Sequence, residues 1–275
     1  MARAPSGKSL VILTRDGFAN RYVVNTLCAA FDIDHIIVDR RPQRANIRRA
    51  IRQGLGHVLS KTARRVFLKV VRDDKARVRA LRRLFGKRGE TFDTPDKIYS
   101  VDGVNSAKTI ALLKQTAPDA LLICGTAVVK DTILGLARDI CFNMHNGICP
   151  YYRGTGCDLW PIVNRDFEMI GATIHQCTSQ IDGGSIFEIV HATCEPGDDL
   201  HTVAGRVLMA GAQAYVRVIE RYLAGKLEGT SQDLSSGREY RGSELTIGPE
   251  LVARLRLSRM RTNVRRPLMP SAGRA

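Results

Sequence analysis

Nowhere does this chain offer the ~20 consecutive apolar residues that a membrane-crossing helix needs. Its opening, Met1-Ala2-Arg3-Ala4-Pro5-Ser6-Gly7, leads into no apolar region of signal-peptide length. Cys-x-x-Cys pairs are missing as well. The seven cysteines (28, 124, 141, 149, 157, 177 and 194) are odd in number and scattered, mostly inside apolar runs. That pattern excludes a disulfide framework or a zinc set and fits buried free thiols in a reducing cytoplasm. The six histidines have no metal-ligand spacing. No internal repeat occurs, and no Gly-x-Gly-x-x-Gly phosphate cradle follows the first apolar run.

Acidic residues are scarce in one region. Between Arg40 and Glu90, 18 Lys and Arg face only three acids, Asp73, Asp74 and Glu90, which leaves 24 basic and 24 acidic residues elsewhere. The formal charge of +15 is therefore a local feature, and the bulk of the chain is no general binder of nucleic acid or other polyanions. What is present in quantity is apolar side chain, at 44% of 275 residues, enough for a real core.

Taken in order, Ser9 to Leu13 reads as a buried strand. Tyr22, Val23, Leu27 and Phe31 follow at near-helical spacing, and Ile33 to Asp39 is a second strand. A strand, helix and strand so close together form a βαβ unit, which implies a parallel sheet. Residues 43–88 read as two basic helices broken near Gly54-Leu55-Gly56 and Gly86. Their apolar stripes are Ile47, Ile51 and Leu55, then Val66, Phe67, Val70 and Val71. The leading reading is a solvated helical excursion packed against the domain; the second is an amphipathic surface for peripheral contact with an anionic membrane. Further strands are expected at 97–101 and 120–125, with a helix at 106–116 and Asp131 as a helix cap. A short helix at 157–163 places Trp160 in the core. After a strand at 185–194, Asp199 caps a long helix reaching Gly225, with Val203, Val207, Ala210, Ala214 and Val218 facing inward. Patterning fades from Lys226 onward, and the Arg-rich end after Arg259 is expected to be disordered. The expected architecture is an α/β domain over 1–226, a twisted and mostly parallel Rossmann-like sheet flanked by helices, with a basic insertion at 43–88 and an appendage at 227–275.

The chemistry concentrates between Phe142 and Asp182. The apolar run Ile140-Cys141-Phe142 delivers Asn143 and His145 as alternate residues at a strand end, so both point to one face. A turn-rich stretch with Gly147, Pro150, Gly154 and Gly156 loops over that face. Gly171 to His175 reads as a returning strand, and Asp182 sits in a turn before Gly183 and Gly184. An amide, an imidazole and a carboxylate can thus converge. Such a trio suits acyl transfer to an amine: the amide N–H₂ holds an oxyanion, the imidazole handles a proton, and the carboxylate orients it. No serine or cysteine nucleophile is needed when the amine itself attacks.

These segments together resemble the folate-dependent formyltransferase family, the group containing methionyl-tRNA, glycinamide ribonucleotide and sugar-nucleotide formyltransferases. The shared elements are the Asn-x-His at 143–145, the Pro-x-Tyr-Arg-Gly-like loop at 150–154, the Gly-x-Thr-x-His strand at 171–175 and the Asp182-Gly183-Gly184 turn. One departure is Asn146-Gly147-Ile148-Cys149-Pro150, where many members carry Ser-Leu-Leu-Pro after the histidine. The resemblance implies Asn143, His145 and Asp182 as catalytic residues, His175 as their supporting partner, and 10-formyltetrahydrofolate as formyl donor. It implies Val128, Val129, Lys130, Gln180 and Ile181 as folate contacts, with Arg153 and Tyr152 on the acceptor side, and no metal.

The acceptor follows by elimination. The tail is too short for the β-barrel of the tRNA enzymes, and the turn after the first strand lacks the Gly-Ser-Asn phosphate loop of the glycinamide ribonucleotide enzymes. A nucleotide-linked amino sugar used in surface polysaccharide remains, with Gly237-Arg238-Glu239-Tyr240 as a further ligand segment. The alternatives are a methionyl-tRNA formyltransferase-like enzyme, a formyltetrahydrofolate hydrolase, whose regulatory domain has no room before Ser9, and a degenerate scaffold at a membrane. A homodimer is compatible with all of them.

Overall fold

Alternation on the central strands builds two cores at once. The computed structural model describes residues 7–40 and 55–264. In β1 (Leu10–Arg15), Leu10 and Ile12 enter one apolar cluster while Val11 and Leu13 enter another on the opposite face. Buried on both sides, such strands need continuous apolar sequence, and β2 (His35–Asp39) and β4 (Ala120–Cys124) have it. β3 (Ile98–Val101) lies at the edge, and β5 (Ile140–His145) carries the Asn-x-His. β6 (Tyr152–Gly154) leaves the main sheet, and β7 (Gly171–Gln176) and β8 (Ile186–His191) complete it. The seven-stranded order is β3-β2-β1-β4-β5-β7-β8. β3 to β5 run parallel to one another, and β7 and β8 are antiparallel additions. A mostly parallel α/β sheet is thus present as expected.

Helices cover both faces. α1 (Phe18–Ala30) packs on the first cluster. α2 (Leu55–Val70) and α3 (Asp73–Phe85) form the excursion, α4 (Ala107–Thr116) starts at a Ser106 cap, and α5 (Asp131–Leu134) is a single turn. α6 (Trp160–Asn164) precedes β7, and α7 (Leu200–Leu223) is capped by Asp199, whose carboxylate accepts the Thr202 N–H at 2.8 Å. β9 (Arg238–Tyr240) and α8 (Ile247–Val264) end the described chain.

Several expectations change. Asp131 is the first residue of α5 rather than its cap, which is Lys130. The break in the excursion falls at Arg72, with φ 52°, because Asp73 and Asp74 then open α3 at the positive end of its dipole. The stripe of Val66 and Val70 faces solvent, 57% and 74% exposed, while Ala80, Leu81 and Phe85 of α3 do the burying. The stripe Ile47, Ile51 and the break at Gly54 lie outside the described residues, as does the end beyond Val264. Residues 260–264, expected to be disordered, are helical. The appendage after Lys226 is folded back against the domain. Its Tyr240, Ala253 and Leu257 are buried in one cluster with Trp160, Ile162 and Val207. Glu250 pairs with Arg64, and Arg254 with Asp73, which clamps excursion and C-terminal helix together.

Candidate active site

The β5–β7 register places Asn143 opposite His175 and His145 opposite Thr173, so amide and both imidazoles share one face. Asp182 closes the group from a turn where its own φ is 48°, a left-handed conformation that aspartate tolerates better than most residues. Its Oδ2 accepts the Gly154 N–H at 2.8 Å and faces His145 Nδ1 at 3.3 Å. Its Oδ1 accepts from Asn143 Nδ2 at 3.4 Å and lies 3.4 Å from His175 Nε2. The Asn143 Nδ2 also lies 3.1 Å from His175 Nε2, while His175 Nδ1 donates to the Gln176 carbonyl at 2.7 Å. His145 Nε2 donates to the Tyr152 carbonyl at 2.9 Å. Burial alone would raise the Asp182 carboxyl. The facing His145 and His175 and the Gly154 N–H outweigh it and hold the group well below the usual carboxylate range.

Glycine makes this approach feasible at two points. A Cβ on Gly147 would lie 2.5 Å from His145 Nε2 and 2.6 Å from the Tyr152 oxygen. Gly154, at φ 94°, lets β6 pair with β9, where a Cβ would meet the Tyr240 oxygen at 2.3 Å.

The cluster opens into a cavity of about 920 Å³ at the carboxyl ends of β4 and β5, the position where open α/β sheets take ligands. Val128, Val129, Gln180 and Ile181 line it, and Val128 is 68% exposed there. Lys130 does not line it; its backbone N–H is held by Asn105 Oδ1 at 2.8 Å. Tyr152 and Arg153, expected on the acceptor side, are buried behind the wall. Tyr152 donates to Asp166 at 2.9 Å and stacks on Tyr240, and Arg153 braces the Pro150, Ile181 and Leu234 carbonyls. Their polarity serves the loop rather than the cavity. Glu239, Tyr240 and Arg241 do line it.

Among the lining residues that the sequence did not single out as ligands are Asn20, Lys61, Asn146 and Asp158. Lys61 comes from α2 and Asp158 from the loop before α6, so only tertiary packing brings them together. Asn146 was visible as the residue after the motif histidine. Its Oδ1 is buried with no hydrogen-bond partner among the described residues.

A profile of the formyl transferase family matches residues 48–219, more than half of the chain, and the chain belongs to that family. It is 24% identical over 136 residues to the methionyl-tRNA formyltransferase of Chlorobium limicola, a match covering 50% of this chain and 42% of that enzyme. The chain thus spans less than half the length of that curated relative. A 4-N formyltransferase from Francisella tularensis superposes with a TM-score of 0.57 at 16% identity, covering 91% of this chain and 87% of that one. An N-formyltransferase from Helicobacter canadensis, solved with folinic acid and dTDP-3-aminofucose, superposes at 0.55 and 16% identity, covering 91% and 80%. At such identities the likeness establishes the fold.

Proposed function

We propose that this chain transfers a formyl group from 10-formyltetrahydrofolate to a primary amine on a nucleotide-linked amino sugar. The observation that carries the reading is the convergence of Asn143 and His145 on Asp182 within 3.3–3.4 Å at one end of a cavity. The donor fits on a structural ground: Val128 and Ile181 expose apolar surface on the cavity wall, suited to a flat pterin ring. When bound, the donor supplies an activated formyl carbon. Asn143 Nδ2 is the neutral donor for the negative charge that builds on the formyl oxygen. His145, held between the Tyr152 carbonyl and Asp182, lends a positive ring at the same place when protonated. Asp182 fixes that ring's orientation and stabilises its charge.

An anionic acceptor is supported by Lys61 and Arg241 on the wall. Lys61 has no ion-pair partner among the described residues. The acceptor class also draws on the structural relatives, which match nearly the whole chain and include an enzyme solved with a nucleotide-linked amino sugar. The test mixes the protein with 10-formyltetrahydrofolate and a panel of nucleotide-linked amino sugars, alongside methionyl-tRNA, and reads formylated product by mass. Formylated sugar nucleotide is the expected product. Turnover of methionyl-tRNA alone would replace the acceptor, and no formylated amine at all would end the reading.

A further inference from the structure

One face of α2 is left turned to solvent. The helix is anchored through Arg64, which pairs with Glu250, and through Phe67, whose ring lies 5.6 Å from the Arg254 guanidinium of α8. Leu59, Ala63, Val66 and Val70 point elsewhere. At roughly 100° of turn per residue they fall within about 60° of one another. All four are exposed, Leu59 at 68%. A row of large aliphatic side chains held in water is a feature that marks interaction surfaces.

The border of the row is basic. Arg65 and Lys69 lie along one side of it and Arg72 follows the helix end; all three are exposed, with no ion pair among the described residues. On α3, Lys75, Arg79 and Arg83 add exposed charge, and Val78 is exposed among them. Two acids of the excursion are already paired, Asp73 with Arg254 and His201, and Glu90 with Arg82.

Two demands thus meet on one surface: an apolar medium for Leu59, Val66 and Val70, and negative charge for the flanking cations. A second copy of the chain supplies the first and violates the second, because it sets the same cations against their like. RNA supplies the second and leaves the aliphatic row facing phosphates. A bilayer containing anionic lipid supplies both, with acyl chains below and phosphate at the level that long Lys and Arg side chains reach. No helix among the described residues is long and apolar enough to cross a membrane, so contact through this face lies in the plane of the surface.

We propose that the outward face of α2 docks on an anionic membrane. Leu59, Val66 and Val70 enter the headgroup layer, and Arg65, Lys69 and Arg72 meet lipid phosphates. Lys61, which lines the cavity, projects about 200° round the helix from Leu59. Docking and the cavity wall therefore use opposite sides of α2. The surface is independent of the formyl-transfer reading.

The test is co-sedimentation of the full chain with large vesicles, of phosphatidylcholine alone or with about one third phosphatidylglycerol. Wild type should bind the anionic vesicles and not the neutral ones, and bind less as salt is raised. Replacing Leu59, Val66 and Val70 together by Asn should weaken binding at least about tenfold. Replacing Arg65, Lys69 and Arg72 together by Gln should weaken it about 10²-fold, about fivefold for each cation near an anionic surface. Both variants should keep the wild-type Tm, since only exposed side chains change, which separates lost docking from lost folding. Absence of binding to anionic vesicles overturns the surface, as does an aliphatic variant that binds within about twofold of wild type. A dimer broken by the aliphatic variant, without vesicle binding, gives the face to a second copy. A tRNA complex lost with the basic variant alone, without vesicle binding, gives it to nucleic acid. Either result overturns the proposal.

Discussion

Asp182 and Asp158 line one cavity and are held in opposite conditions, which gives them opposite effects on stability. The Asp182 carboxyl is depressed in the folded protein. Its stabilisation is therefore complete above the unfolded value near ~3.9 and is lost as pH falls through the lower folded value. The Asp158 carboxyl is raised. Its ionisation costs stability, a penalty absent below ~3.9 that grows until pH passes the higher folded value. Asp182→Asn is expected to lower Tm at pH 7 and to flatten the acid limb of the stability profile. Asp158→Asn is expected to raise Tm at pH 7. Thermal melts of both variants between pH 3 and 8 read the two signs directly; a Tm loss at pH 7 for Asp158→Asn contradicts the burial cost. For His145→Ala, turnover should fall by about 10²–10⁴ with folding retained, measured as single-turnover formyl transfer. A rate within about twofold of wild type, far below that range, would remove His145 from the chemistry.

The elements show which contacts were legible beforehand. Apolar runs announced β1, β2, β4 and β5, because strands buried on both faces leave no room for polar residues. The Asn-x-His and the Asp182 turn were legible because strand alternation and two glycines constrain them locally. Arg153 and Tyr152 misled because a loop arginine and tyrosine look identical in sequence whether they meet ligand or brace carbonyls. Lys61 and Asp158 were hidden, since they lie far apart in sequence and only tertiary packing, including the Arg64–Glu250 pair that ties α2 to α8, puts them on one wall. That placement sets an expectation for the excursion: Lys61→Gln should raise the acceptor KM and leave kcat near wild type, as loss of ground-state binding does. An unchanged KM would return α2 to a purely structural role. Gly147→Ala tests the loop, since its Cβ would push on His145 Nε2 and the Tyr152 oxygen. A cost of about 1–3 kcal/mol in urea unfolding is expected from such overpacking, together with a fall in turnover.

At the scale of the whole molecule, the positive charge of the 40–90 region reaches the cavity through Lys61. A field of one sign near a binding site steers oppositely charged ligands and is screened within about 8–10 Å at physiological salt. The kcat/KM for a diphosphate-bearing acceptor should therefore drop with added salt, more steeply than kcat.

The pairing of β6 with β9 has a further consequence, for the order in which the protein is made. The main sheet is complete once β8 has been synthesised. The turn that carries Asp182, however, is held by Gln232, whose amide donates to the Asp182 and Gly184 carbonyls, and β6 finds its partner only at Tyr240. A chain emerging from the ribosome thus has every strand of its main sheet before the Asp182 turn and β6 meet the residues that hold them. The cavity wall is finished by residues made after the long helix, so a nascent or prematurely stopped chain would hold the strands of the sheet without Glu239, Tyr240 and Arg241 to close that wall.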